Sequence, residues 1–148
     1  MLQFEGDRDF SLPPEELFVK LTDARFLASC LPDVENISQD DPHQATFTVR
    51  PNLAFVRGTL AVTLQVAEKT PPISARMVVK SKGVGASSTV VAALSFAAMD
   101  AGTRMHWIAE IQELGGLLKL VPNGLICGAA QKVMDDAWKS VEAKLRIS

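Results

Sequence analysis

Residues 103–145 read TRMHWIAEIQELGGLLKLVPNGLICGAAQKVMDDAWKSVEAKL, and the hydrophobic period changes within them. From Thr103 to about Leu114, the residues Met105, Trp107, Ala109 and Ile111 alternate with Arg104, His106, Glu110 and Gln112. A period of two predicts a strand with its apolar side chains inward and its polar ones outward. From Leu117 onward the apolar residues recur at intervals of three or four: Leu118, Val121, Leu125, Ala129, Val133, Ala137, Val141 and Leu145. Lys132, Asp135, Asp136, Lys139 and Lys144 take the other sides. This spacing predicts a helix of about 28 residues, roughly 42 Å long. Such a helix must bury its apolar stripe, and the strand before it belongs to a sheet that can receive it.

The rest of the chain supplies that sheet. Residues 2–10 read as a strand, with Leu2 and Phe4 on one face and Gln3, Glu5 and Asp7 on the other. At Ser11-Leu12-Pro13-Pro14-Glu15-Glu16 a cap, helix-compatible prolines and an acidic first turn predict a helix carrying Leu17, Phe18 and Leu21. Thr22-Asp23 restarts the pattern for a second short helix with Phe26, Leu27, Cys30 and Leu31 on one face, ended by Pro32. Beyond it the period returns to two. A weak strand holding Val34 and Ile37 meets a turn at Gln39 to Pro42, and Phe47 with Val49 marks the next strand. Leu60, Val62, Leu64 and Val66 alternate in a third, and Ala75, Met77 and Val79 face one way in a fourth. Gly83-Val84-Gly85 turns the chain into Ser88 to Ala98, where Val90, Leu94 and Phe96 point inward. Asp100-Ala101-Gly102 makes a tight hairpin, for which glycine supplies the unusual φ. Consecutive hairpins followed by one amphipathic helix predict an α+β fold: an antiparallel sheet of about seven strands curled around a long C-terminal helix.

Bulk properties narrow the function. With 148 residues, 47% hydrophobic and 22% charged, the chain reads as one globular domain over residues 1–148. A net charge of −2 with scattered basic residues leaves no electrostatic footprint for nucleic acid. Cys30 and Cys127 lie far apart in apolar surroundings and read as two buried free thiols, suited to a reducing cytoplasm. The opening MLQFEGDRDF lacks the pattern of a secretory signal, and no stretch reaches the ~18–20 apolar residues of a membrane span.

The element order resembles the helix-grip fold shared by the START, polyketide-cyclase and pollen-allergen-like (SRPBCC) superfamily. A narrower likeness covers essentially the whole chain. Leu12-Pro13-Pro14-Glu15-Glu16-Leu17-Phe18-Val19-Lys20-Leu21-Thr22-Asp23 with Leu27-Ala28-Ser29-Cys30-Leu31-Pro32 resembles the opening of the carbon monoxide dehydrogenase G-subunit family. So do Val56-Arg57-Gly58-Thr59-Leu60, the Pro71-Pro72 turn, Lys82-Gly83-Val84-Gly85, and the small residues Gly115-Gly116 and Gly128-Ala129-Ala130. The chain departs from that pattern at Asp33, where the family usually carries glycine. The resemblance implies binding of apolar ligands, peripheral contact with the inner face of a membrane, or service to a molybdenum-hydroxylase-type redox enzyme. It implies no shared catalytic constellation.

The residues themselves offer little polar chemistry. His43 falls in a turn and His106 on an outward strand position, and neither has metal-ligand spacing with a cysteine or carboxylate. Cys30 has no evident base beside it, and Lys82 to Gly85 joins two strands without the rest of a dinucleotide fingerprint. The absence of tyrosine removes the phenolic acid/base on which a cyclase or hydrolase of this fold could draw. Glu113 falls on the inward parity of the last strand, at the mouth of any cavity. No catalytic residue, metal or cofactor is therefore expected.

What the residues do offer is apolar area with space beside it. Phe47, Met77, Phe96, Met105 and Trp107, with Val49, Val62, Leu64 and Val79, would line the inner sheet face. Leu118, Val121, Leu125 and Ala129 would face them from the helix. Glycine inside a helix costs about 1 kcal/mol relative to alanine. Gly115, Gly116, Gly124 and Gly128 at the helix start therefore suggest a gap there, with Pro122 as a kink. Val133, Trp138, Val141 and Leu145 would fill the second half. The expectation is a carrier of a quinone- or lipid-like molecule in a dry pocket of roughly 300–1,000 Å³. Its first rival is an accessory or membrane-anchoring protein docking through residues 115–130, which burial of Leu117, Leu120 and Ile126 would count against. Its second is a cyclase- or hydrolase-like enzyme, which would need at least two polar side chains converging inside the cavity.

Overall fold

The computed structural model describes residues 2–31, 34–50, 58–83, 85–100 and 102–147. Strand β1 (Leu2–Phe10) leads into helices α1 (Pro14–Leu21) and α2 (Ala24–Cys30). Six strands follow: β2 (Val34–Asp40), β3 (Gln44–Val49), β4 (Leu60–Thr70), β5 (Ser74–Gly83), β6 (Ala86–Met99) and β7 (Gly102–Gly116). A 3-10 turn at Leu117–Leu120 precedes helix α3 (Asn123–Ile147). The strands form one antiparallel sheet in the order β1-β7-β6-β5-β4-β3-β2, so the first strand returns to lie beside the last. Four of the expected features fall partly outside the described residues: the Pro32 stop with Asp33, Val56-Arg57, the Val84 turn and Ala101 of the last hairpin.

Alternation decides which side chains share the inner face. Phe47, Val62, Leu64, Val66, Met77, Leu94, Met105, Trp107 and Ala109 are all buried in one continuous cluster. Helices α1 and α2 close one end of this face. Leu17, Leu21, Leu27 and Ala28 are buried there, Phe18 meets Phe96 edge-on at 5.6 Å, and Thr103 donates to the Leu12 carbonyl at 2.7 Å. Asp23 caps α2 by accepting from the Arg25 backbone N–H. The cap expected at Ser11 does not form. Pro13 takes the N-cap position of α1 with no side-chain bond, because Pro14 already sets the first helical φ.

The long helix differs from the sequence reading in two ways. It begins at Asn123 rather than near Leu117, and Pro122 starts it instead of kinking it. Val121, forced off helical geometry by the following proline, is extended at φ −86°, ψ 132°. The Leu125 and Ile126 N–H groups then bond back to the Pro122 carbonyl. Leu118 thus lies in the 3-10 turn and Val121 in the break.

Second, the buried stripe is rotated by one residue. Ile126 is only 5% exposed whereas Leu125 is 59% and Val133 48% exposed. Two apolar stripes one position apart compete, 125-129-133 and 126-130-134-138, and the one carrying Trp138 holds the largest apolar area. Both converge on Val141 and Leu145.

The second half of α3 is anchored. Trp138 and Val141 join the core, Arg8 pairs with Glu142 at 3.1 Å, and the Lys144 ammonium donates to the Ser29 carbonyl. These contacts tie the helix to β1 and α2.

Candidate functional site

With α1, α2 and the second half of α3 filling one end of the inner face, the other end is left under the first half of α3. Its wall comes from the far ends of five strands. Val49 of β3, Leu60 of β4, Val79 of β5, Val90 of β6 and Leu114 of β7 are each half-buried rather than buried. All but Leu114 pack by one edge against the core. Among the described residues these positions form an apolar trough along the far strand ends, less covered than the core beside it.

A β-bulge shapes the β7 side of this trough. Val90 pairs with Ile111, but Thr89 pairs with Glu113, so Gln112 is the extra residue. Past it the parity of β7 reverses. Ile111 faces inward and is buried, Glu113 is exposed on the outer face, and Leu114 turns in opposite Ser88. The inward position expected for Glu113 is thus overturned, because one inserted residue exchanges the two faces of the sheet.

The floor is polar at one point. Ser81 and Ser88 are direct partners across β5 and β6, on the same face as Val79 and Val90, with their hydroxyl oxygens 2.6 Å apart. On α3 the glycines are exposed: a side chain added at Gly124 or Gly128 would have no neighbour within 4 Å. These glycines therefore do not serve close packing against the sheet. At the mouth, Leu117 is 53% and Leu120 81% exposed, next to exposed Leu125.

The residues expected to line a pocket divide accordingly. Phe47, Val62, Leu64, Met77, Met105 and Trp107 are buried in the filled end, and Phe96 is covered by Phe18. Val49 and Val79 lie on the trough wall, and Ala129 is half-buried on α3. Leu118 and Val121 are half-buried beside the mouth, and Leu125 points out. The sequence reading misses Leu60, Val90, Leu114, Ser81 and Ser88 as lining. Four of these are visible in the alternation of their strands; the bulge conceals Leu114.

The outer face of the sheet is different chemistry. His106 stands outward as expected, with Nδ1 2.8 Å from an Asp7 oxygen and Nε2 3.5 Å from a Glu5 oxygen. The hydrogen bond to Asp7 leads in raising its pKa, with both carboxylates adding to it. Arg104 beside it bonds Asp9 and holds that carboxyl below its usual range. A shallow recess of about 200 Å³ lies here, lined by Glu68, Arg76, Ser95 and His106 among others, on the side away from the helix. Cys30 is buried, which pushes its thiol pKa up, and Cys127 is half-buried; neither is in a disulfide. Among the described residues no three His, Cys, Asp or Glu side chains form a metal set, and no helix is long and apolar enough to cross a membrane.

A seven-stranded antiparallel sheet holding a long C-terminal helix is the helix-grip arrangement of START-like domains. Solved structures agree on the fold. A conserved protein from Geobacillus kaustophilus superposes with a TM-score of 0.86 at 18% identity, covering 99% of this chain and 97% of that one. A START superfamily protein from Mycobacterium smegmatis gives 0.71 at 10% identity, with 97% of each chain covered. A protein from Chromobacterium violaceum gives 0.68 at 16% identity and 95% of each. No curated protein matches the chain. Residues 6–146 match the CoxG family, named for the G subunit of carbon monoxide dehydrogenase, and the chain belongs to it.

Proposed function

We propose that this protein binds a hydrophobic small molecule, quinone- or lipid-like, in the trough between the inner sheet face and the first half of α3, and does not transform it. The observation that carries this reading is the half-buried apolar wall of Val49, Leu60, Val79, Val90 and Leu114. Apolar side chains gain about 25 cal/mol for each Å² removed from water, so five left half-covered side by side at one end of the inner face are a standing driving force for an apolar guest. Family membership supports service to a redox enzyme of the carbon monoxide dehydrogenase kind.

Native mass spectrometry after incubation with quinones and phospholipids tests the reading. One bound molecule per chain is expected, and substitution of Val79 and Val90 by Asn should abolish it. An absence of any adduct, with the trough still accessible to solvent, would overturn the proposal.

A second reading has its own observation. Leu117, Leu120 and Leu125 form an exposed apolar group at the mouth, with Lys119 among them. Of the three residues whose burial would count against docking, Leu117 and Leu120 are exposed and only Ile126 is buried. Exposed apolar patches mark contact with a membrane or another protein, so the same segment is proposed to seat the trough's mouth against a membrane at the inner face.

A further inference from the structure

The Ser81–Ser88 pair is the only feature of the inner strand ends, among the described residues, whose chemistry is out of keeping with its surroundings. Val62 opposes Ser81 from β4, and Leu114 opposes Ser88 from β7. Val79 and Val90, the adjacent pair on the same face, stand on the core side. Two hydroxyls are thus ringed by apolar side chains on a half-buried floor. Their mutual bond at 2.6 Å uses one proton and one lone pair. The hydroxyl that accepts still has its own proton to donate.

We propose that this pair is the recognition point for the polar end of the bound molecule, and that it selects a neutral oxygen acceptor, a ketone, ester or alcohol, on an apolar body. This rests on the trough being the binding site. A hydrocarbon lying over the floor would strip water from the free hydroxyl and leave it unpaired, which costs more than the bond is worth when made. A guest with an oxygen at that position completes the bond. The charge pattern favours a neutral oxygen over a carboxylate or phosphate. Lys80 and Lys82, the nearest cations along β5, alternate with Ser81 and face outward, so among the described strand residues none supplies a cation beside the serines.

The test uses the full chain and three probes of one length: n-dodecane, 2-dodecanone and dodecanoate, measured by native mass spectrometry and calorimetry. The wild type should bind the ketone about 3- to 10-fold tighter than the alkane, the range one such hydrogen bond supplies, and the carboxylate no tighter than the ketone. The S81A/S88A double variant should lose the ketone's advantage while binding the alkane as well as before. Ser95→Ala, on the outer face of β6, should keep it. If the wild type binds ketone and alkane equally, or the double variant retains the preference, the serine anchor is wrong while the trough stands. Tighter binding of dodecanoate than of the ketone overturns the neutral-oxygen selection alone. If none of the three binds the wild type, the trough reading falls and takes the anchor with it. The wild-type comparison needs no variant to fold.

Discussion

At the scale of single residues, parity on a strand decides chemistry. His106 and Ser88 sit on neighbouring strands, yet one meets carboxylates in water and the other a hydroxyl among valines. The imidazolium of His106 is favoured by the Asp7 hydrogen bond at 2.8 Å and, more weakly, by Glu5. Its pKa is raised above the ordinary 6.5, so the native state holds the proton more tightly than the unfolded chain. The resulting stability is complete below that ordinary value and is lost as pH rises through the native pKa. Because the ring is exposed, the increment is small and falls with salt. Asp7→Asn should lower the His106 pKa, read from its ring protons by NMR, and flatten stability over the same pH window. An unchanged titration curve would show that the carboxylate does not govern the ring. The outward histidine, and the free thiol of Cys30 in the core, are both legible in the sequence, since each depends only on its strand or helix period. The Ser81–Ser88 pairing is not, because it depends on which two strands are neighbours and in what register.

Elements are legible where one period rules and illegible where two signals compete. Seven strands follow from alternation, and the structure has them. The start of α3 is hidden because apolar spacing runs unbroken through Val121-Pro122, while proline denies the preceding residue a helical ψ. Its phase is hidden because Leu125 and Ile126 offer equal apolarity and only the distant Trp138 breaks the tie. The glycines of α3 test the outcome. Gly128 is exposed inside the helix with nothing within 4 Å of an added Cβ. Gly128→Ala should therefore stabilise the protein by about 1 kcal/mol, raising Tm by about 2–4 °C in a chain of this size. Gly116 is the opposite case, with φ 61° and the Gly85 carbonyl where a Cβ would go. Gly116→Ala should lower Tm in the same calorimetric scan. A fall in Tm for Gly128→Ala would mean that the helix start needs glycine for a conformation it visits.

For the whole molecule, the division of the inner face is what counts. One end is built as a core, with two short helices and the anchored half of α3 pressing on the sheet. The other end is walled by side chains that the described residues leave half-covered, and its rim carries Leu117 at 53% and Leu120 at 81% exposure. Burying a leucine fully is worth roughly 1.5–3 kcal/mol, so two inserted at an interface would dominate membrane affinity. Co-sedimentation with vesicles of phosphatidylcholine and phosphatidylglycerol should recover the wild type, and L117S/L120S should reduce recovery more than tenfold. Equal recovery of both proteins would assign the rim to a protein partner or to solvent. None of this division is visible from composition. Filled and unfilled ends use the same valines and leucines, and only the placement of α1 and α2 over one of them separates core from trough.

The bulge at Gln112 has a consequence for how such a site can change over time. In a regular strand, each residue's face is settled by counting from the strand's start, so altering the trough requires exchanging one side chain for another. Here the count restarts after Gln112, because that residue stands outside the ladder and the pairing resumes as though it were absent. Loss of that single codon would straighten the strand yet leave Glu113 outside and Leu114 inward, whereas pairing Gln112 in regular register would exchange the two. The lining of this end of the sheet therefore depends on one residue being left out of the ladder, and a relative can shed that residue without changing which side chains face inward.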